Sequence, residues 1–172
     1  VSLFNKGMRN YSDNGTLLHG AYGHRWRARF GIDQLEKLVD YLKREPTGRR
    51  AVLTMWAPRG DLVADVGVGG LNARDVPCNT HAYFDLRGDT LNMMLCCRSN
   101  DMLWGAYGAN AVHFSVLQEW MAAALGAPVG KFYQFSANFH VYTAVPAWQA
   151  LLANGQAPDP YAARVVRPLP LV

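Results

Sequence analysis

The feature that most constrains the fold of this chain is a glycine that separates two segments with strand periodicity. Polar and apolar side chains alternate over residues 81–86, Gly88 follows, and an apolar segment covers residues 91–97. Alternation with a period of two is typical of a half-buried strand, and glycine is favoured where two paired strands turn. The sequence therefore predicts a β-hairpin, with a sheet built around it.

Two helical patterns flank the hairpin. Residues 31–48 predict a helix that ends near Pro46 and Gly48, with apolar side chains at helical spacing: Ile32, Leu35, Leu38, Val39 and Leu42. Residues 111–130 predict a second helix, with one side formed by Val112, Val116, Leu117, Trp120, Met121 and Ala124.

Two further strands are predicted outside the hairpin, over residues 49–58 and 130–142. The glycine-rich residues 59–76 predict an irregular loop. The resulting order of helix, strand, hairpin, helix and strand is typical of an α+β fold with a mixed, mostly antiparallel sheet.

The composition fits one globular domain. Half of the 172 residues are hydrophobic, which is enough to form a core. No apolar run approaches the ~20 residues of a membrane span, so we expect no membrane partner. Three cysteines, two of them adjacent, do not form a disulfide framework and favour a reducing, cytoplasmic location. The net charge of +4 suits an anionic ligand, without the basic run that is typical of a nucleic-acid arm.

Cys78 is the candidate nucleophile, placed between a proline and an asparagine just before the hairpin. A cysteine reacts as its thiolate, and a nearby arginine lowers the thiol pKa from its free value of ~8.5. Arg98, after the second strand, supplies such a charge. The alternative is a small buried apolar side chain, the commoner role of a free cysteine. No pair of cysteines or histidines has zinc spacing, so we expect no metal.

The arginines suit a phosphate group. Arg49 and Arg50 are adjacent at a helix-to-strand junction, and Arg98 is followed by Ser99. Guanidinium groups offer bidentate donors, and the hydroxyl adds another. The alternative for the paired arginines is a soluble surface.

Three more polar residues suit a nucleoside. Asn110, in a glycine-rich turn before the second helix, carries a donor and an acceptor that pair with one edge of a pyrimidine; alternatively it caps the helix. His140 and Tyr142 share one face of a predicted strand, where they either hydrogen-bond a sugar hydroxyl or line a half-buried surface.

Combined in this order, the motifs resemble those of the thymidylate synthase family, which includes the pyrimidine-nucleotide hydroxymethylases. The chain has "PCN", a hairpin, "RSND", "GAYGAN" and "FHVY" in succession. The upstream "GAYGHRWR", the pair in "GRR" and the segment "RPLPLV" also resemble family elements. The resemblance covers nearly the whole chain.

The resemblance implies a thymidylate synthase-like fold, with helices on one face of the sheet and a homodimer formed through the sheet. It implies that 5,10-methylenetetrahydrofolate is the co-substrate of a one-carbon transferase and that Cys78 adds to C6 of a pyrimidine nucleoside monophosphate. The other implied roles are an active-site tyrosine for Tyr22, phosphate binding for Arg98 and Ser99 with Arg49 and Arg50 of a partner chain, pairing with the pyrimidine for Asn110, contact with the 3′-hydroxyl for His140 and Tyr142, and folate contact for Asp101 and Trp104.

Departures from the family pattern bear on the product. Asn79 replaces a histidine, Cys97 a glutamine and Asn138 an aspartate, and the stretch with Trp104 has one extra residue. Because these changes cluster around the pyrimidine and the pterin, they favour a 5-hydroxymethyl product, made when water attacks C5's exocyclic methylene. The alternatives are a true thymidylate synthase making dTMP, and a CMP or dCMP hydroxymethylase. Asn110 favours dUMP, although an amide pairs with either base by flipping.

We expect residues 1–172 to form a single catalytic domain that lacks N- and C-terminal parts, including the general-base glutamate of the family. A rival of another class is a non-catalytic nucleotide- or RNA-binding remnant of the fold, which binds nucleotide without forming an adduct. A third hypothesis is a hydrolase that uses Cys78 and His81, but the pattern offers no acid to orient the histidine.

Overall fold

The computed structural model describes residues 6–62 and 73–155. Most of the predicted glycine-rich loop, residues 63–72, lies outside the described residues, as does "RPLPLV". Helices precede and follow a four-stranded sheet in the described part of the chain.

The helical elements are short except for two. They are a 3-10 helix (Lys6–Tyr11), α1 (Tyr22–Arg27), α2 (Gln34–Arg44), α3 (Pro58–Asp61), a π-helix (Met102–Ala109), α4 (Asn110–Leu125) and α5 (Pro146–Asn154). The strands are β1 (Val52–Thr54), β2 (Asn79–Arg87), β3 (Thr90–Cys97), β4 (Asn100–Asp101), β5 (Val129–Ser136) and β6 (Phe139–His140).

The predicted hairpin is confirmed as β2 and β3, the centre of a sheet with strand order β1-β2-β3-β5. Gly88 has a φ of 62° in the turn, a conformation that glycine adopts without steric cost. β1–β2 and β2–β3 are antiparallel and β3–β5 is parallel, which gives the mixed sheet that was predicted. The predicted strand over 49–58 is shorter than expected, since β1 covers three residues.

Helices α1, α2 and α4 pack on one face of this sheet. Alternate β3 side chains, Leu91, Met93, Leu95 and Cys97, point into the core beneath the helices. Helix α2 buries Leu35, Leu38 and Leu42, whereas Ile32 is exposed because it precedes the N-cap residue Asp33. Burial of these apolar side chains is the main stabilising contribution to the fold.

The predicted buried side of the second helix was half wrong. Helix α4 buries Phe114, Leu117, Gln118, Met121 and Ala122, while Val112, Val116 and Trp120 are exposed. The helix is apolar around most of its circumference, so periodicity did not identify the stripe that meets the sheet.

The predicted strand over 130–142 is two strands rather than one. β5 ends at Ser136, and β6 pairs with β4 in a separate two-stranded sheet. Tyr142 therefore lies beyond the last strand residue, His140, and does not share a strand face with it. The chain leaves β5 at Ala137, whose N–H donates to the Cys97 carbonyl at 2.9 Å.

A π-helix lies directly before Asn110, in the stretch where the sequence predicts an extra residue. The Asn110 N–H donates to the Gly105 carbonyl, five residues back, where an α-helix would use the fourth. An inserted residue widens a helical turn in this way, and π-turns occur often at functional sites.

The sheet face opposite the helices is apolar and exposed. Its exposed side chains include Val52, Tyr83, Met94, Tyr133 and Phe135. A face of this composition is unusual for a surface in water. No helix in the described ranges is long and apolar enough to cross a membrane.

Candidate active site

Cys78 lies immediately before β2 on a short turn held by Arg98. The Arg98 backbone N–H donates to the Cys78 carbonyl at 2.8 Å, and its Nε and Nη2 donate to the Pro77 and Val76 carbonyls at 2.9 and 3.2 Å. The guanidinium also lies 5.6 Å from the centre of the Trp56 ring. Arg98 therefore fixes the turn that presents the thiol and places a positive charge beside it.

The surroundings of Cys78 disfavour its thiolate form. Burial raises its pKa above the ordinary value, the positive charge of Arg98 acts in the opposite direction, and Asp75 adds to the rise. Desolvation disfavours the thiolate, so the proton must be removed before the sulfur reacts.

We expect the alkylation rate of Cys78 by iodoacetamide in the full-length protein to rise about tenfold per pH unit between pH 7 and 8, because the thiolate fraction grows tenfold per unit below the pKa. Mass spectrometry of the Cys78 peptide measures the rate at each pH. Free glutathione, treated in parallel, is the control. The raised pKa is contradicted if the alkylation rate of Cys78 reaches its plateau at a lower pH than the rate of glutathione does.

Tyr22 lies at the start of α1 with its hydroxyl against Asn79, the residue after Cys78. Its Oη accepts hydrogen bonds from the Asn79 backbone N–H at 3.0 Å and from Asn79 Nδ2 at 2.7 Å. Its ring packs edge-on against Phe114, with centroids 5.4 Å apart. Burial, opposed by the bonds from Asn79, raises the pKa of Tyr22 to about 12, so the phenol keeps its proton.

A chain of hydrogen-bonded amides continues from the buried Asn79 through the half-buried Asn110 to the buried Asn100. Asn79 Nδ2 donates to Asn110 Oδ1 at 3.0 Å, and Asn110 Nδ2 donates to Asn100 Oδ1 at 3.1 Å. Asn100 Nδ2 then donates to Gln134 Oε1 at 2.8 Å and to Ser136 Oγ at 2.9 Å. We call Asn79, Asn110 and Asn100 the amide chain. Asn110 thus begins α4 with its side chain bonded to the interior, and it is not the N-cap residue.

The far end of the amide chain borders a cavity of about 500 Å³. Gln134 and Ser136 line it together with Ala106, Tyr107, Ala111, Phe132 and Phe139. Gln134 Nε2 is buried without a hydrogen-bond partner.

Beside this cavity lies a group of four residues near the surface, of which Tyr142 and Trp104 are exposed and Asp101 and His140 are half-buried. Asp101 pairs with His140 between β4 and β6, and Asp101 Oδ2 accepts from the Tyr142 N–H at 3.4 Å. Asp101 Oδ1 also accepts from the Trp104 N–H at 2.5 Å. Trp104 is 63% exposed. β4 follows Arg98 and Ser99 directly, which joins this group to the Cys78 turn.

Arg49 and Arg50 are far from Cys78 in the same chain. They are exposed on the loop before β1 and line a separate groove with Tyr41 and Gly48. The Ala51 carbonyl accepts from the Phe84 N–H, so this loop lies beside residues 84–85 of β2. At ~3.3 Å per residue, that point is about 20 Å from Cys78 along the strand.

Two buried features escaped the sequence analysis as functional candidates. Asn79 was noted only as a departure, and Asn100 received no role. Strict alternation in β2 puts Asn79 on the face opposite the buried Ala82 and Phe84, so the strand pattern gave no signal that its amide is buried.

A buried ion pair behind the Tyr22 segment was also missed. Arg25 is fully buried, and its two terminal nitrogens each contact an Asp61 carboxylate oxygen at 2.8 Å. His19 Nε2 contacts Asp61 Oδ1 at 2.7 Å. Burial alone would raise the pKa of Asp61, but hydrogen bonds from Arg25, the Ala57 N–H and His19 hold it below the ordinary value.

In the described parts of the chain, no group of three or more histidine, cysteine, aspartate or glutamate residues is placed to hold a metal ion.

The chain is similar in sequence to proteins of one family. The family model described as Thymidylate synthase matches residues 3–161. Deoxyuridylate hydroxymethyltransferase of Pseudomonas phage M6 is 46% identical over 100% of this chain and 50% of its own length. The protein of the same name from Bacillus phage SP01 is 34% identical over 81% of this chain and 37% of its own length.

A third relative is named a putative thymidylate synthase, from Methanothermobacter thermautotrophicus. It is 35% identical over 70% of this chain and 50% of its own length. The chain therefore spans half, or less, of the length of these curated relatives.

Proposed function

Because the chain belongs to the thymidylate synthase family, we propose that the full-length protein transfers a one-carbon unit from 5,10-methylenetetrahydrofolate to C5 of dUMP and releases the 5-hydroxymethyl nucleotide. The observation that carries the proposal is the continuous set of contacts from the Cys78 turn through the amide chain. These contacts bring a thiol, an amide and a cationic side chain to one end of the sheet. The names of the two phage relatives support the hydroxymethyl product.

Cys78 is the proposed nucleophile. C5 of uracil is too weak a nucleophile to attack a one-carbon unit unaided. When Sγ bonds to C6, the electrons of the C5–C6 double bond shift towards C5 and O4, and C5 becomes nucleophilic. After C5 has accepted the one-carbon unit, loss of the C5 proton and departure of tetrahydrofolate leave an exocyclic methylene on the ring. Water adds to this methylene and loses a proton, and the electrons that return to C5 expel Sγ from C6, which restores the C5–C6 double bond and the thiolate. The turn held by Arg98 keeps the sulfur in position for both steps.

Asn110 is the proposed contact to the pyrimidine. Tyr22 accepts a hydrogen bond from Asn79, which in turn donates to Asn110. Asn110 keeps one lone pair on Oδ1 and one N–H on Nδ2 after its bonds within the amide chain. These groups complement N3–H and O4 of uracil. His140 and Tyr142 are proposed to bind the 3′-hydroxyl at the exposed end of the site.

The folate is proposed to lie against the π-helix. Trp104 and Tyr107 are 63% and 80% exposed there, and their flat rings suit stacking against a pterin. Asp101, beside Trp104, offers a carboxylate to the pterin N–H groups. When bound, the folate supplies the one-carbon unit that C5 accepts.

A homodimer is proposed to complete the phosphate site. Arg98 and Ser99 lie beside the Cys78 turn, at the end of the sheet where the nucleotide is proposed to bind. Arg49 and Arg50 lie about 20 Å from this turn by strand length. A second chain packed on the exposed apolar face of the sheet brings its own Arg49 and Arg50 towards this end, and covers Tyr83, Met94 and Phe135.

The mass of the nucleotide product tests the proposal. We expect the full-length protein, given dUMP and methylenetetrahydrofolate, to form a hydroxymethyl product without dihydrofolate, and to leave CMP and dCMP largely unchanged. A methyl product with stoichiometric dihydrofolate identifies a thymidylate synthase instead. No product from any of the three nucleotides contradicts the enzyme assignment and favours a protein that only binds nucleotides.

A further inference from the structure

Two of the departures from the family pattern contact each other in the structure. Asn79 and Cys97 are directly paired between β2 and β3. Cys97 Sγ donates to Asn79 Oδ1 at 2.6 Å, and both side chains are buried. The two substitutions therefore form one interacting unit beneath Cys78.

This unit sets the direction of the amide chain. With Asn79 Oδ1 accepting from Cys97, its Nδ2 faces Tyr22 Oη and Asn110 Oδ1 and donates to both. Every later bond has the same polarity, from Asn110 to Asn100 and from Asn100 to Gln134 and Ser136. If the Asn110 amide alone flipped, its Nδ2 would face Asn79 Nδ2 and its Oδ1 would face Asn100 Oδ1. Both hydrogen bonds would then be lost.

The two ends of the amide chain differ in how strongly they fix this direction. Ser136 has a hydroxyl that donates or accepts, and Gln134 Nε2 has no partner that would resist a flip. Cys97, in contrast, is buried, and its desolvation together with the neighbouring Cys78 and Cys96 raises its pKa to about 12. Its sulfur therefore keeps the proton that it donates to Asn79.

The direction decides which base Asn110 fits. In the observed orientation, its remaining lone pair and N–H meet the N3–H donor and O4 acceptor of uracil. Cytosine presents an acceptor at N3 and a donor at N4, and so requires the flipped amide. We propose that Asn79 and Cys97 are positioning residues that make this site select a uracil over a cytosine nucleotide. This inference rests on the proposed function, in which Asn110 contacts the pyrimidine.

Binding of dUMP and dCMP to the full-length protein, measured by calorimetry without folate, tests this inference. We expect dUMP to bind more tightly than dCMP, so that the ratio of the dCMP Kd to the dUMP Kd is greater than one. We expect Asn79→Asp to reduce this ratio by about tenfold. The introduced carboxylate oxygen accepts from Asn110 Nδ2, which favours the flipped amide. Cys97→Ala removes the donor to Asn79 and is expected to reduce the ratio, whereas Cys97→Ser keeps a donor and the ratio.

The outcomes separate this inference from the proposed activity. If the protein binds dUMP selectively and loses that selectivity in Asn79→Asp, yet makes no product, the result supports the inference and contradicts only the activity. Product formation with the same Kd ratio in Asn79→Asp and Cys97→Ala overturns only the inference. An equal loss of selectivity in Cys97→Ser and Cys97→Ala overturns the role of the thiol proton. Failure of the unmodified protein to bind either nucleotide overturns both.

Discussion

Cys78→Ser is expected to lower product formation by the full-length protein roughly a thousandfold or more while dUMP still binds. A serine hydroxyl is a far weaker nucleophile than a thiolate, so the bond to C6 does not form and C5 is not activated. Binding survives because Arg98 and the amide chain are untouched. Product formation under saturating dUMP and folate, together with the Kd for dUMP, measures the two effects separately.

Cys96→Ser is the matched control for this substitution. Cys96 is also a half-buried cysteine, but it lies in β3 on the opposite face from the buried Cys97. We expect Cys96→Ser to retain the rate. A Cys78→Ser protein that keeps the rate of the unmodified protein would falsify covalent catalysis by this residue.

Asp61→Ala is expected to lower the free energy of unfolding by about 3–5 kcal/mol. The substitution leaves the Arg25 guanidinium buried with an uncompensated charge, and it also removes the acceptor for the Ala57 N–H. Chemical denaturation of the full-length protein, followed by circular dichroism, measures the loss. A loss of this size is a large fraction of the total free energy of unfolding, since proteins are marginally stable.

Asp40→Ala is the control, because it also removes a carboxylate from an ion pair. The Lys37–Asp40 pair has a separation of 3.9 Å and lies on the exposed side of α2. Such a pair contributes little, so we expect a change within about 0.5 kcal/mol. Equal losses for Asp61→Ala and Asp40→Ala would show that the buried pair has no special weight.

The buried pair also predicts a dependence on pH. The pKa of Asp61 in the folded protein lies below its value in the unfolded chain. Its contribution to stability is therefore present above the unfolded pKa of ~3.9 and is lost as the pH falls through the folded value. We expect the difference in stability between the unmodified and Asp61→Ala proteins to shrink at acid pH.

Local patterns predicted the elements that depend on local chemistry. The hairpin, its Gly88 turn and the helix with Leu35, Leu38 and Leu42 were evident because period and turn residues act between near neighbours in sequence. The side of α4 that is buried was not, because Val112, Val116 and Trp120 are as apolar as the residues that meet the sheet. The break after Ser136 depends on pairing with β4, a short strand without a pattern of its own.

The sequence by itself determined the hairpin, the helix and strand order, and the set of residue types that can bind and attack a pyrimidine nucleotide. Only the tertiary structure decided that Asn79 faces the helices. A register shift between Asn79 and His81 turns that side chain to the buried face, against the strict alternation of the strand. The tertiary structure also decided the direction of the amide chain and the distance of Arg49 and Arg50 from Cys78. These depend on contacts between residues far apart in sequence, which no local period encodes.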